Sequence, residues 1–476
     1  MTALGVTVAA ARLVVARRRL ARAGEVLAAP VPGWIGAAAT AAEASRVALL
    51  GAHEGLLDEL DAVLRSLGVA ALALGAGTPP LVVDAALAAA LAAAGAQPTV
   101  TIPAATAPAG ATVPGLAPEA VARWWSDLDP EARAALERDR PALVGGLDGL
   151  PAAVRDRANR RVLAAAQAEA RAEETAARDR LARSRHPVEL ARAGGELHEV
   201  RARLARLGAV AAAVDRPGRA LLDLEVDRHA TVGQGVRAAV AQGDVDTAAH
   251  VGVVTPGFTT GVDELPGRLE ELGALIDAAG PGTAAVAWYG YDAPQLDEVA
   301  DPDRSVLGRA PAEEGGRRLA AFLGGLDAAR PGTGADPHLT AVGHSYGSMV
   351  TAAALDDRGA AGADDVVYLG SPGVGPTPGR PAGHAWVVEA TGDATADTAW
   401  FGPDPNRMPG VTGLSAREVA LPDGRVLTES RGHHGYLTPG STSAENVAAV
   451  VGGRPQDAVL DRGIDAGDRL RRLVGR

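Results

Sequence analysis

Cysteine and lysine are both absent from this chain of 476 residues, and aromatic side chains make up only 3% of it. Without cysteine the protein can form no disulfide, thiol nucleophile or cysteine-ligated metal site, and its redox compartment stays open. No H-E-x-x-H sequence occurs, the histidines are scattered, and no glycine-rich phosphate loop ends in lysine. We therefore expect neither a metal site nor a cofactor.

The net charge of −12 argues against nucleic acid as the main partner, because neutralising phosphates requires a basic surface. Long unbroken hydrophobic runs are also lacking: Arg12 interrupts residues 3–16, while a Thr-Pro-Pro sequence at 78–80 and Asp84 divide residues 67–100. The pieces are too short to span a bilayer, and no charged segment precedes them as in a signal peptide. The sequence predicts no integral membrane span and favours the cytoplasm, or export by a route without a signal peptide.

The chain divides into four segments. Residues 1–97 predict a helical hairpin, 98–118 a Pro/Ala-rich linker, and 119–215 a region of long helices. From 216 to 476, short β-branched strands alternate with helices, which predicts a mostly parallel, doubly wound sheet with helices on both faces. The fold class is therefore α/β, preceded by an all-α region. Strands are predicted at 220–226, 236–241, 250–255, 283–288, 338–343, 365–369 and 385–389.

One pentapeptide between a predicted strand and a predicted helix has the pattern G-x-S-x-G: Gly343-His344-Ser345-Tyr346-Gly347. In such a nucleophile elbow, a sharp turn holds the serine in a strained conformation with its hydroxyl exposed. The flanking glycines avoid collisions with the neighbouring strand and helix. The pattern predicts that Ser345 is a nucleophile, and the alternative is a buried serine in a glycine-rich turn.

A nucleophilic serine needs a base to take its proton and an acid to orient that base, in this fold in the chain order Ser, Asp or Glu, His. The adjacent His433 and His434 lie in a loop before the last predicted helix, and the sequence pattern leaves both open as the base. Asp393 follows the strand predicted at 385–389 in a Gly-Asp sequence, which favours it as the acid over Asp397 and Asp404.

Two backbone N–H groups are expected to stabilise the developing oxyanion, those of Tyr346 and of Phe258 in the loop after the strand at 250–255. Several aromatic residues fall on loops near the same site. In a chain so poor in aromatic residues, this clustering suggests an apolar wall for the substrate, although core packing is the alternative. The predicted wall comprises Trp288, Tyr289, Tyr291, Trp400 and Tyr436, with Phe401 beside them.

The chain from about residue 216 to 452 resembles a family of bacterial α/β-hydrolases with a domain of unknown function, common in GC-rich bacteria. The resemblance rests on the segments 253–257, 287–294, 342–348, 369–375, 392–393 and 433–441. It implies an α/β-hydrolase fold with a Ser-Asp-His triad, and its histidine pattern falls on His433. This chain departs from the family by placing His434 where a small residue is usual. The resemblance names no substrate.

The N-terminal hairpin is similar to WXG-type hairpins of specialised secretion systems, with Trp34-Ile35-Gly36 at its break. Two functions follow as hypotheses. The first is a serine hydrolase of a small-molecule or lipid-like ester, with amides and thioesters as lesser alternatives. The second is a secreted or partner-binding protein whose helical region docks a helical protein and whose catalysis is secondary. We also expect a chain that starts near Arg216 to fold alone, because the sheet segment is long enough to bury its own core.

Overall fold

The structure is a computed structural model that describes residues 117–227, 235–298, 304–330, 337–358, 362–375 and 383–461. All of these residues fall in one compact unit. The hairpin predicted over 1–97, its Trp34-Ile35-Gly36 motif and most of the linker predicted over 98–118 lie outside the described residues. Among the helices that are described, none is both long enough and apolar enough to cross a membrane.

Within the described residues, five helices precede the sheet, and four of them begin at proline, whose fixed φ suits the first helical turn. The proline at 187 also accounts for the break between the two longest helices, because the residue before a proline disfavours helix. The His186 side chain caps the helix that follows, accepting a hydrogen bond from Val188 N. The helices are α1 (Pro118–Asp127), α2 (Pro130–Asp139), α3 (Pro141–Gly146), α4 (Ala152–Arg183) and α5 (Pro187–Val214).

In the part of the chain that the structure describes, the central sheet has eight strands in the order β1-β2-β4-β3-β5-β6-β7-β8. Strands β3 to β8 run parallel, and β2 pairs antiparallel with both β1 and β4. The predicted α/β fold with a mostly parallel sheet is therefore confirmed. The strands are β1 (Arg219–Val226), β2 (Val236–Gln242), β3 (His250–Thr255), β4 (Thr283–Tyr289), β5 (His338–His344), β6 (Asp365–Leu369), β7 (Ala385–Val388) and β8 (Val411–Leu414).

Two parts of the β structure, one strand and one hairpin, were not predicted. Strand β8 has only four residues, includes a glycine and buries only Leu414, so it lacks the apolar run that marks the other strands. A two-stranded hairpin of β9 (Val419–Ala420) and β10 (Val426–Leu427) is shorter still. Neither segment carries enough side-chain pattern to be distinguished from a loop.

Helices cover both faces of the sheet, as the strand and helix alternation predicted. One face packs against α6 (Leu265–Ala279) and α9 (Thr442–Val451), and the other against α7 (Ala310–Ala328) and α8 (Tyr346–Arg358). Each face has its own hydrophobic cluster of buried aliphatic residues. The parallel strands therefore end together at one edge of the sheet, where the loops that follow β3, β5 and β7 meet.

The helical region packs directly on edge strand β1. Asp156 accepts a hydrogen bond from Leu221 N at 2.7 Å, and Asn159 Nδ2 donates to Leu221 O at 3.1 Å. Leu207 of α5 joins the same hydrophobic cluster as Leu221. The boundary predicted at residue 216 thus marks the change from helix to strand, while the two sides share one core. The four-segment division itself stays a prediction.

Candidate active site

The elbow after β5 places Ser345 between the last residue of a strand and the first residue of α8. Its φ of 55° lies in the left-handed region, which costs free energy for any residue with a Cβ. Ser345 N donates to Leu369 O of the neighbouring strand at 2.9 Å, and this bond holds the turn. The hydroxyl thereby stands clear of the sheet at its carboxyl edge.

Both elbow glycines are required by close contacts. A Cβ on Gly343 would lie 2.7 Å from Gly347 O, and a Cβ on Gly347 would lie 2.4 Å from Thr255 O. These distances are shorter than any van der Waals contact, and backbone atoms cannot move aside as a side chain would. The G-x-S-x-G pattern therefore reflects the packing of the elbow against β3 and its own helix.

A continuous hydrogen-bonded chain joins the three side chains predicted to form a triad. His433 Nε2 lies 2.7 Å from Ser345 Oγ, and His433 Nδ1 lies 2.9 Å from each carboxylate oxygen of Asp393. Ser345 is 6% exposed, and the Asp393 side chain is fully buried. An imidazole in this position can accept the serine proton on Nε2 while the carboxylate holds Nδ1–H.

Asp393 is held as an anion by several donors besides His433. Tyr436 Oη donates to Oδ2 at 2.6 Å, and the backbone N–H groups of Thr395 and Ala396 donate to Oδ1 at 3.0 and 3.1 Å. Burial raises the pKa of Asp393, but the hydrogen bonds from His433, Tyr436 and the backbone outweigh it, so the pKa lies below its ordinary value. The carboxylate therefore stays charged at neutral pH.

The competing candidates lie elsewhere in the loops. His434 is exposed, its ring centroid is 5.3 Å from that of His433, and within the described part of the chain no hydrogen bond joins it to Ser345 or Asp393. Asp404 caps the short turn at 405–407 by accepting from Asn406 N at 2.9 Å. Asp397 lies beside Glu389, and burial together with the charges of Asp397 and Asp404 raises the pKa of Glu389 to about 7.

The loop after β3 lies against Ser345 and Tyr346. A Cβ on Gly257 would lie 2.7 Å from Ser345 Cβ and 3.0 Å from Tyr346 N, so only glycine fits there. Phe258 N follows directly, and Tyr346 N opens α8, where the first N–H groups have no partner within the helix. In the described residues neither N–H has a hydrogen-bond acceptor, so the predicted oxyanion pair is unoccupied by protein groups.

Four of the five aromatic residues predicted to form a substrate wall are packed in the core instead. Trp288, Tyr289, Tyr291 and Tyr436 are 1–6% exposed. Trp288 stacks on Tyr291 with ring centroids 6.0 Å apart, and it lines a separate cleft of about 1060 Å³ between α4, α7 and β1. Trp288 and Tyr289 end β4, while Tyr291 and Tyr436 lie in loops, and all four side chains pack into the two hydrophobic clusters of the sheet.

Trp400 is different, since 64% of it is exposed. The adjacent Phe401 packs edge-on against Tyr346, with ring centroids 5.6 Å apart, beside the nucleophile. Of the residues predicted to form or flank the wall, Trp400 and Phe401 are therefore the two that are not fully buried.

Two contributors to the site were missed by sequence reasoning. Tyr436 was assigned to the wall, yet its hydroxyl bonds Asp393 and accepts from Ala390 N at 3.0 Å. Its position three residues after His433, on the loop that carries the histidine, was the available signal. His344 was treated only as an elbow residue, but its Nε2 lies 2.7 Å from the backbone oxygen of His433. Among the described residues, no cluster of His, Asp and Glu could hold a metal ion.

Comparison with known proteins agrees with this architecture. A family model described as alpha/beta hydrolase matches residues 232–403, which include Ser345 and Asp393, while His433 lies beyond the match. Uncharacterized proteins of Mycobacterium bovis and of Mycobacterium tuberculosis are each 35% identical over 237 residues, covering 46% of this chain and 84% of the relative. Another uncharacterized M. tuberculosis protein is 33% identical over 273 residues, covering 55% of this chain and 40% of its own length. The chain belongs to the α/β-hydrolase family.

Proposed function

We propose that the protein is a serine hydrolase that cleaves carboxylic esters through an acyl-enzyme on Ser345. The observation that carries this proposal is the unbroken chain from Ser345 Oγ to His433 at 2.7 Å and from His433 to Asp393 at 2.9 Å. A serine hydroxyl attacks a carbonyl only when a base accepts its proton, and an acid keeps that base in the required tautomer. His433 is the base and Asp393 the acid.

The reaction proceeds in two halves. Ser345 Oγ attacks the ester carbonyl as its proton passes to His433 Nε2, and the N–H groups of Phe258 and Tyr346 bind the negative oxygen that develops. Collapse breaks the bond to the alcohol, which takes the proton from His433 and leaves an acyl group on Ser345. A water molecule then gives a proton to His433 and attacks the acyl carbonyl, and Ser345 regains its proton as the acid departs.

Esters fit this site better than peptides because no free sheet edge runs beside the nucleophile. Strand β5, which carries Ser345, is paired on one side with β3 and on the other with β6. An extended peptide therefore finds no unpaired backbone next to the elbow with which to align, whereas an ester needs only the carbonyl contacts and a place for its acyl group. Alcohols are also better leaving groups than amines. Amides and thioesters remain lesser alternatives.

The test is hydrolysis of p-nitrophenyl esters of graded acyl length, together with labelling by a fluorophosphonate probe. The wild-type protein should turn over at least one ester and incorporate the probe. Ser345→Ala should lose the label and about 10³- to 10⁶-fold in kcat/KM with its fold intact by circular dichroism, since the nucleophile is removed. Ser184→Ala, at the exposed end of α4, is the matched control and should behave as wild type. Persistent labelling of Ser345→Ala would place the reactive serine elsewhere.

A further inference from the structure

We propose that His344 is a positioning residue that holds the catalytic base in register with the nucleophile by donating Nε2–H to the backbone carbonyl of His433. The proposal rests on the proposed function for the role of His433, but its geometry is independent of any substrate. His344 and Ser345 are neighbours in the chain, and both bond the same residue. Nothing in the G-x-S-x-G pattern requires a histidine at the second position.

The elbow therefore contacts His433 at two places, its ring and its backbone carbonyl. Ser345 Oγ lies 2.7 Å from the imidazole Nε2, and His344 Nε2 lies 2.7 Å from the backbone oxygen. A backbone carbonyl can only accept a hydrogen bond, so His344 must carry its proton on Nε2. The bond from His344 fixes the position of the His433 peptide. The bond to Ser345 then requires the imidazole to extend from that peptide to within hydrogen-bond distance of the hydroxyl.

The rest of the loop is held by other contacts that do not reach this carbonyl. Gly432 N donates to Thr391 O at 3.1 Å, and the Tyr436 carbonyl accepts from Ser443 Oγ at 2.6 Å. Between these two anchors, the carbonyl of His433 accepts one hydrogen bond from the described residues, and it comes from His344. Without the bond from His344, the loop is held only at Gly432 and Tyr436, on either side of the peptide that carries the base.

The protonation state of His344 suits a donor that stands beside a base. Burial lowers the pKa of His344 to about 3, with a smaller contribution from the nearby His433 ring, whose centroid is 5.0 Å away. The ring is therefore neutral wherever the enzyme would work. A neutral donor places no positive charge against the imidazolium that forms on His433 during attack, whereas an arginine or lysine at this position would oppose it.

The experiment compares His344→Leu, which removes the donor, with His344→Gln, whose side-chain amide keeps an N–H at a similar reach. On the best p-nitrophenyl ester, His344→Leu should lose about 30- to 100-fold in kcat, with KM within about twofold, because a base displaced by about 1 Å costs rate rather than binding. His344→Gln should recover kcat to within about fivefold of wild type. His384→Leu, an exposed histidine just before β7, is the matched control and should leave kcat unchanged within about twofold.

A second measurement follows the structure without turnover. The proton between His433 Nδ1 and Asp393 should give a downfield ¹H NMR signal in the wild type and in His344→Gln, and this signal should broaden or vanish in His344→Leu. If His344→Leu does not fold, His344→Asn replaces it, because its shorter amide fails to reach the carbonyl.

Full kcat in His344→Leu, or an equal loss in His344→Gln, would overturn the positioning role, since the first shows that the bond is dispensable and the second that ring shape matters instead. A wild-type protein that neither cleaves esters nor takes up a fluorophosphonate would overturn the proposed function alone, and the NMR comparison would still decide the role of His344. An unchanged NMR signal in His344→Leu counts against that role whatever the kinetics.

Discussion

Replacing Tyr436 with phenylalanine separates the hydrogen bonds that support Asp393 from the packing around it. The ring is 2% exposed and phenylalanine fills nearly the same volume, so packing is preserved. The change removes the hydroxyl that donates to Asp393 Oδ2 at 2.6 Å and accepts from Ala390 N at 3.0 Å. It therefore isolates one charge-assisted hydrogen bond and one buried backbone donor.

The size of the effect follows from these two bonds. A hydrogen bond to a charged group contributes about 1.5–3 kcal/mol, and a buried donor left without a partner costs about 1–3 kcal/mol. Because the groups relax, the two do not add fully, and we expect Tyr436→Phe to lower the free energy of unfolding by about 2–4 kcal/mol at pH 7. The kcat should fall only about tenfold, since His433 still bonds Asp393.

The effect of Tyr436→Phe on stability should depend on pH through the charge of Asp393. The pKa of Asp393 is below its ordinary value in the folded state, so its stabilisation is present above the unfolded pKa and is lost as the pH falls through the folded pKa. Loss of the Tyr436 hydroxyl raises that folded pKa. The difference in unfolding free energy between wild type and Tyr436→Phe should therefore be largest at neutral pH and shrink below about pH 4.

Urea denaturation of both proteins at about six pH values, from about pH 2 to about pH 7.5, measures this difference. A difference that stays constant with pH would refute the argument, because it would show that the hydroxyl does not act through the charge on Asp393. An unchanged free energy of unfolding of Tyr436→Phe at pH 7 would also refute the argument.

Three further predictions concern the elbow and its partners. His433→Ala should lower kcat/KM by about 10³-fold or more, while His434→Ala should stay within about threefold, and the reverse order would make His434 the base. Asp393→Asn should cost about 10³- to 10⁴-fold in kcat at little cost in KM, and a loss below about tenfold would remove it from the acid role. Gly347→Ala should unfold the elbow or leave an insoluble protein, since its Cβ would lie 2.4 Å from a backbone oxygen. A Cβ at Gly267 in α6 would contact no other atom, so Gly267→Ala should be neutral or stabilising in thermal melts.

The parts of the site that sequence could predict are those set by local backbone geometry. The elbow needs glycine at two fixed positions around Ser345 and a strand and a helix on either side, and all of these are visible in the chain. The position of Asp393 follows from the same logic, because the end of β7 must lie at the carboxyl edge of a parallel sheet. Such features depend on short stretches whose conformation the residues themselves restrict.

The choice between two adjacent histidines was beyond the local pattern. His433 and His434 share a loop, and which ring points at Ser345 depends on how that loop is tied to Thr391 and to His344. These partners are remote in the chain, so residue types alone do not rank the two. The family resemblance selected His433, which is the histidine that the structure brings to Ser345.

Burial on a particular face of the sheet was equally hard to foresee. Trp288 and Tyr289 are neighbours at the end of β4, so they point to opposite faces, and each is packed in the cluster on its own side. Proximity in sequence to an active-site loop says nothing about which side chains the helices then cover. In this chain with few aromatic residues, most of those predicted to line the site are packed in the core instead.

The helical region gave the clearest departure from expectation. Helix α4 is rich in Ala, Arg and Glu and suggests an exposed helix, yet Asp156 and Asn159 bond the free edge of β1, and Leu163 enters the sheet core. Polar residues on such a helix look solvated from the sequence. In the structure, the two polar residues instead hydrogen-bond the backbone of an edge strand, which is otherwise open to pairing with another chain.

The last prediction follows from that shared core. A chain starting at Arg216 would lose six buried residues that pack in the same cluster as β1, among them Leu163, Leu207 and Val210. At about 1.5–3 kcal/mol for each large aliphatic side chain, the loss from these three alone is about 5–9 kcal/mol, comparable with the whole stability of an ordinary domain. The edge of β1 would also lose the hydrogen bonds from α4.

We therefore expect the chain 216–476 to be insoluble or to unfold without a cooperative transition, contrary to the expectation from sequence length. A chain starting at residue 117 is the matched control, because it retains every contact among the described residues and should unfold cooperatively and bind a fluorophosphonate. Denaturation and labelling of the two proteins side by side decide the matter. A soluble 216–476 protein that unfolds in one transition and labels at the rate of the longer chain would show that α4 and α5 only cover a core that the sheet completes by itself.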